Sequence, residues 1–333
     1  MGFLRKISNG KTQCLLCPRE CVILEGQRGF CHVRKNVNDD IVSTTYGYTT
    51  GLAIDPIEKK PLYHFYPSSK TLSFGTLGCN MGCLFCQNFS TTKSTDDELN
   101  LMKIPPEIIV KTALKYFCKS IAFTYNDPIV FYEYAIDTAR LAHENGIKTV
   151  AVTAGYINEA PAKEFFAYMD AVNIDLKGFT QEFYRKNCLA DFEKILDTIK
   201  YVANETDCHL ELTTLLIEGE NTDENQLLQE FRWILENLGD NVPLHLSAFH
   251  PAWKMLDKSP TSVETLLWAY QLAKNLGLKY VYTGNISDIE TSTTFCHNCG
   301  AELISRDGFK VISNNMLAGG KCPECFTKQY GCF

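Results

Sequence analysis

Cysteine placement carries most of the chemistry legible in this chain. Fifteen cysteines occur among 333 residues, and eleven fall into three sets. The first is Cys14, Cys17, Cys21 and Cys31, in CLLCPRECVILEGQRGFC. The second is Cys79, Cys83 and Cys86, in CNMGCLFC. The third is Cys296, Cys299, Cys322 and Cys325, in FCHNCG and KCPECF. Cys118, Cys188, Cys208 and Cys332 stand apart. A secreted chain would use such sets for disulfides, but the N-terminal MGFLRKISNGKTQC has no apolar signal core. The expected setting is the cytoplasm, where thiols stay reduced and clustered thiolates hold metal.

The Cys79–Cys83–Cys86 triplet places three thiolates within eight residues of a glycine-punctuated loop. A [4Fe–4S] cluster takes a thiolate on each iron. Three ligands leave one iron open to bind a substrate or cofactor and pass it an electron, much as a catalytic zinc keeps an open position. Zinc is the competing reading, weakened because zinc takes four ligands and no fourth cysteine is near.

The C-terminal set has the two-knuckle form of a Zn(Cys)4 ribbon. One departure is Phe326, where a glycine often follows the second knuckle. Loose thiols, redox thiols or an iron–sulfur cluster are the other readings, and His297 reads as an exposed neighbour. The N-terminal set closes a site for zinc or for a second [4Fe–4S] cluster, since both metals accept sulfur. Cys188, past QEFYRKN, could approach the active-site mouth as a hydrogen-atom donor, or be a small buried hydrophobe. His64 in the connector reads as structural. Cys332, in the tail YGCF, reads as mobile.

These residues must be positioned by alternating elements. Apolar runs rich in β-branched and aromatic residues recur at 71–78, 120–126, 148–155, 171–177, 209–217, 243–249 and 279–284. Helical periodicity separates them, as in PPEIIVKTALKYF and ENQLLQEFRWILENLG, with Asp or Asn as N-caps and Gly146 and Gly277 as C-cap glycines. This α/β alternation implies a parallel sheet with right-handed crossovers. The expected fold is a partial or complete (β/α) TIM-like barrel over 69–290, with an open doubly wound sheet as the alternative. An N-terminal Cys-rich extension and connector would occupy 1–68, and a zinc-ribbon-like segment 291–333. Barrel active sites lie at the carboxyl ends of the strands. There the sequence places the triplet loop, Asn126 and Asp127, Thr153, Asp175 and Lys177, and His250.

Composition bounds the rest. Apolar residues make up 45% and charged residues 21%, with a net charge of −7 and a pI near 5.6. A disordered or collagen-like chain is excluded, and the acidic balance is a poor footprint for nucleic-acid binding. No window reaches the roughly 18 apolar residues of a membrane span.

CxxxCxxC with Phe85 before its last cysteine resembles the radical S-adenosylmethionine (SAM) superfamily. The resemblance implies that Cys79, Cys83 and Cys86 hold a [4Fe–4S] cluster whose open iron is chelated by SAM, and that one electron splits SAM to a 5′-deoxyadenosyl radical. It further implies that Asn126 and Asp127, in FTYNDP, accept from the SAM ammonium. Phe85, Thr153, Asp175, Lys177 and His250 resemble SAM-facing positions of the branch that activates pyruvate formate-lyase. Nearly the whole chain, including GLAIDPIEKKPLYHFYP and LSAFHPAWKM, is similar to the radical SAM enzyme of the AmmeMemoRadiSam system. That implies AMMECR1-domain and Memo-like partners and a low-potential flavodoxin or ferredoxin donor. The expected function is hydrogen abstraction from an unidentified substrate. Alternatives are a glycyl-radical-enzyme activase, an RNA-modifying enzyme and a non-catalytic iron–sulfur/zinc electron-transfer protein. Against the activase, residues 87–117 carry no ferredoxin-like cysteine insert.

Overall fold

The computed structural model describes residues 3–7, 10–95 and 101–333. Every one of the seven apolar runs becomes a strand of one sheet: β2 (Lys70–Gly75), β3 (Ser120–Phe123), β4 (Lys148–Thr153), β5 (Ala171–Asp175), β6 (His209–Leu216), β7 (Leu244–Ala248) and β8 (Val281–Gly284). They pair in chain order and all in parallel. Helices on the crossovers cover the sheet, so β3 (SIAF) is buried throughout, Ser120 included.

An eighth strand, β1 (Gly51–Pro56), has no counterpart among the predicted runs. It pairs antiparallel to β2, from Gly51 opposite Gly75 to Pro56 opposite Lys70. It comes from the stretch assigned to the extension and connector. The strand order is linear from β1 to β8, and the two edges do not pair. The sheet is therefore an open, partial parallel sheet rather than a complete barrel. A closed TIM barrel needs eight parallel strands; here β1 occupies the β2 edge in the wrong direction to continue the repeat.

The crossover helices follow from local sequence. Phe192–Glu205 buries Phe192, Ile195, Leu196, Ile199 and Val202, one stripe of a 3.6-residue period. The side chains of Asp191, Asp223 and Ser262 accept from first-turn N–H groups as N-caps. Gly277 closes Val263–Leu276 with φ 114°. Among the described residues no helix is long and apolar enough to cross a membrane.

The two ends of the chain form small antiparallel sheets. Leu4–Ile7, Lys11–Cys14 and Val22–Leu24 make one; Thr294–Phe295, Glu302–Asp307 and Lys310–Asn314 make the other. The tail is ordered rather than mobile. The Cys332 N–H donates to the His64 carbonyl at 2.8 Å, and the Tyr66 N–H donates to the Cys332 carbonyl at 2.6 Å. His64 is structural, as expected. It is fully buried between the Tyr330 carbonyl and the Tyr282 hydroxyl, each 2.6 Å from a ring nitrogen.

Candidate active site

The carboxyl ends of β2 to β7 open into one cleft of about 250 Å³, lined by polar groups from several loops as small-molecule sites are. Each loop brings its own chemistry. The segment after β2 supplies Cys79, Cys83, Phe85 and Cys86; the segment after β3 supplies Asn126 and Asp127; β4 ends in Thr153, and β5 leads into Asp175 and Lys177. These predicted positions all line the same cavity. His250 does not. It is exposed and faces an adjoining shallow cleft with Phe89, Trp253 and Leu256. Ser247 represents β7 in the main cleft.

Asn126 and Asp127 are held by the protein itself through hydrogen bonds to neighbouring segments. The Asn126 amide donates to the Thr76 hydroxyl at 3.1 Å and to the Leu77 and Gly78 carbonyls at 3.0 Å, while its oxygen accepts from the Thr76 N–H at 3.0 Å. It thereby fixes the backbone leading into Cys79. Asp127 accepts from the Ile129 N–H at 3.1 Å, the Ala154 N–H at 2.9 Å and the Thr153 hydroxyl at 3.0 Å. Burial pushes its carboxyl above the usual carboxylate range, against the pull of these donors. Both residues thus order the cleft wall, joining β2, β3 and β4 at their carboxyl ends.

The thiols sit in contrasting fields. Burial, with Asp127 adding to it, pushes the Cys79 thiol up. Cys83 is pulled the other way by the Cys188 thiol, with Lys177 and Lys93 helping. The Met81 N–H points to the Cys79 sulfur at 3.4 Å, and the Thr92 hydroxyl lies 3.2 Å from the Cys86 sulfur. Burial opposes the charge on Lys177, but Asp175, 2.8 Å away, and the Cys83 sulfur outweigh it and hold the ammonium well above its ordinary range. A positive charge therefore faces the cysteine loop.

Cys188 is fully buried and does not line the cleft. It ends the short helical turn Tyr184–Cys188, whose carbonyls bind the triplet loop: Gly82 N–H donates to Cys188 and Leu84 N–H to Asn187, both at 2.8 Å. Its thiol meets the site through Cys83 and not through the open cavity. Sequence reading also passes over Thr92, Asn88 and Thr213, which line the cleft. Thr213 had a findable signal, a polar residue near the end of an apolar strand.

Among the described residues, the only ones that bring three or more ligand atoms within 4.8 Å of one another are Cys296, Cys299, Cys322 and Cys325. That C-terminal group could hold a metal ion. The triplet sulfurs stand further apart around a common cavity.

Residues 74–231, just under half of the chain, match the radical SAM superfamily. The uncharacterized protein MJ0808 of Methanocaldococcus jannaschii is 42% identical over 327 residues, spanning 98% of this chain and 97% of that protein. A pyruvate formate-lyase-activating enzyme of Clostridium pasteurianum is 24% identical over 196 residues, 55% of this chain and 76% of that enzyme. Among solved structures, a radical SAM methyltransferase of Sphaerobacter thermophilus superposes with a TM-score of 0.51 at 17% identity, over 67% of this chain and 68% of that one. Streptococcus suis SuiB bound to S-adenosylmethionine gives 0.50 at 15% identity, over 63% and 49%. These two share the fold.

A radical SAM domain over 74–231 implies a [4Fe–4S] cluster and SAM. The donor set fits: three cysteines line one cleft, their sulfurs are spread wider than a single ion needs, and no fourth cysteine lines it among the described residues.

Proposed function

We propose that the chain is a radical SAM enzyme that cleaves SAM reductively and abstracts a hydrogen atom from a substrate held in the cleft. The observation that supports this reading is the set of three cysteines, with no fourth among the described residues, lining one cleft. When bound, the cluster and SAM supply a 5′-deoxyadenosyl radical. Cys79, Cys83 and Cys86 would hold the cluster. Asn126 would set the approach of the Cys79 loop, and Asp127 with Thr153 would keep the adjoining wall rigid. Lys177, paired to Asp175, would offer a cation to a carboxylate or to the thiolate-bound centre, and Phe85 an apolar face beside it. A low-potential flavodoxin or ferredoxin would deliver the electron, and AMMECR1-domain and Memo-like proteins are proposed partners through the AmmeMemoRadiSam branch. The C-terminal group is read as zinc: its Cys296–Cys325 and Cys299–Cys322 sulfurs are 3.6 Å apart, against about 3.8 Å for the edge of a tetrahedron with Zn–S bonds of 2.3 Å.

The test is anaerobic reconstitution followed by SAM and dithionite, with 5′-deoxyadenosine measured for wild type and Cys83→Ala. Product from wild type and none from the variant is expected; equal product from both, or none from either, defeats the reading. Likeness to the Clostridium activating enzyme supports a second reading, installation of a glycyl radical on a partner enzyme. It predicts a protein-borne glycyl radical signal when the partner is added.

A further inference from the structure

The N-terminal cysteines form a site of a different build from the C-terminal one. Cys14, Cys17, Cys21 and Cys31 all line a single small hollow of about 20 Å³. Its other walls are largely apolar, with Ile23, Ile129 and Val130 among them. All four thiols are free of disulfides. Four reduced thiols brought to one largely apolar hollow form a donor set that metals accept.

Two observations decide the occupant. The first is spacing. No three of these sulfurs come within 4.8 Å of one another, whereas the C-terminal four do. A single zinc ion draws its thiolates to about 3.8 Å from each other. A four-iron cubane sets them further apart, because iron and sulfide lie between them. The second is an orphan donor. Arg34 lines the same cavity and is 4% exposed. Its Nε donates to the Val130 carbonyl at 3.0 Å and its Nη1 to Glu133 at 2.7 Å, but its Nη2 has no partner. A buried guanidinium nitrogen without an acceptor is costly. Glu133 supplies the countercharge; a metal–sulfur centre supplies the missing acceptor, and the spacing selects the cubane.

We propose that Cys14, Cys17, Cys21 and Cys31 hold a second [4Fe–4S] cluster, with Arg34 Nη2 donating to its sulfur. The site adjoins the triplet loop. The consecutive residues Cys79 and Asn80 line the cleft and the N-terminal hollow respectively. The proposal is independent of which reaction the cleft performs.

The test reconstitutes the full chain anaerobically with ferrous iron and sulfide. The variant Cys79→Ala/Cys83→Ala/Cys86→Ala should keep roughly four irons and four sulfides, half the wild-type content, and give a dithionite-reduced electron paramagnetic resonance signal. Cys14→Ser/Cys31→Ser, with the triplet intact, should also lose half the iron and keep its zinc. Wild type with only one cluster's worth of iron and a second zinc per chain would overturn the proposal, even if the triple variant fails to fold. Arg34→Gln should keep the iron and lower the reduction potential of the N-terminal signal alone. An unchanged potential would remove Arg34 from the site.

Discussion

The chain ends in two four-cysteine sets that are built in opposite ways. In the C-terminal set, each knuckle turns back on itself through a left-handed residue, Gly300 at φ 75° and Phe326 at φ 60°, and the sulfurs meet locally. Its apolar core is small, and Cys296 and Cys322 are themselves half of the fully buried members. In the N-terminal set, tertiary packing holds the sulfurs apart. Arg19 reaches across to the Asn80 and Leu189 carbonyls, and the Asn158 amide donates to the Leu15 carbonyl at 2.9 Å. Similar CxxC starts thus lead to different ligand spacings, because one set is shaped by its own turns and the other by the sheet it leans on.

If that contrast is right, ligand loss should hurt the C-terminus far more. Cys322→Ser is expected to release one metal ion per chain and unfold Glu302–Asp307 and Lys310–Asn314, at a cost of about 3 kcal/mol or more. Cys14→Ser should lose iron yet keep its neighbouring strands. Hydrogen exchange read strand by strand distinguishes the two; equal loss of protection at both ends would break the contrast.

The N-terminal dependence on packing can be attacked at Gly78. Its φ is +76°, and a Cβ there would lie 2.1 Å from the Cys31 carbonyl oxygen and 3.0 Å from Val33 Cγ1. Gly78→Ala should cost about 2–4 kcal/mol from left-handed strain and overpacking. Iron at both the triplet and the N-terminal set should fall, while C-terminal zinc stays. Elemental analysis reads all three at once.

A smaller effect concerns how the tail is fastened. Burial pulls the His64 pKa down to about 3, so the ring is neutral; Nδ1 donates to the Tyr330 carbonyl and Nε2 accepts from the Tyr282 hydroxyl. The unfolded state takes up a proton below its pKa of about 6.5 while the folded state resists, so stability is full above that pH and is lost as pH falls toward 3. Between pH 7 and pH 5 the loss is about 2 kcal/mol. Urea unfolding at both pH values should show that difference shrinking in His64→Gln; the same slope in both proteins would remove His64 as the cause.

Legibility followed the same division between local and long-range causes. β2 to β8 were readable because they are short runs rich in apolar, β-branched and aromatic residues separated by helical periodicity. β1 was not: GLAIDP is half exposed and ends in proline, and its place at the edge depends on β2. The cysteines were readable from type and spacing. The partners of Asn126 and Asp127 were not, since they lie on segments about 50 and 26 residues away. Nor was Glu211, fully buried on β6, which accepts from the Tyr63 and His64 N–H groups at 3.0 and 2.7 Å and lies 3.0 and 2.6 Å from His209 and His245. Hydrogen bonds hold its carboxyl well below the usual range despite burial. Nothing local in HLELTTLL signals that a glutamate there anchors the connector beneath the sheet.

Phe326 offers the finest test of the turn-built C-terminus. The residue is 68% exposed, so its ring contributes little packing, and its backbone sits in the region that disfavours a Cβ. The equivalent position in the first knuckle is Gly300, which takes that conformation freely. Phe326→Gly should therefore raise stability by about 1 kcal/mol, set against the chain entropy that glycine adds to the unfolded state. The gain should appear as slower zinc release to a chelator, because the relaxed turn keeps Cys322 and Cys325 in place. Faster release would mean that the aromatic ring, not the turn, holds the second knuckle.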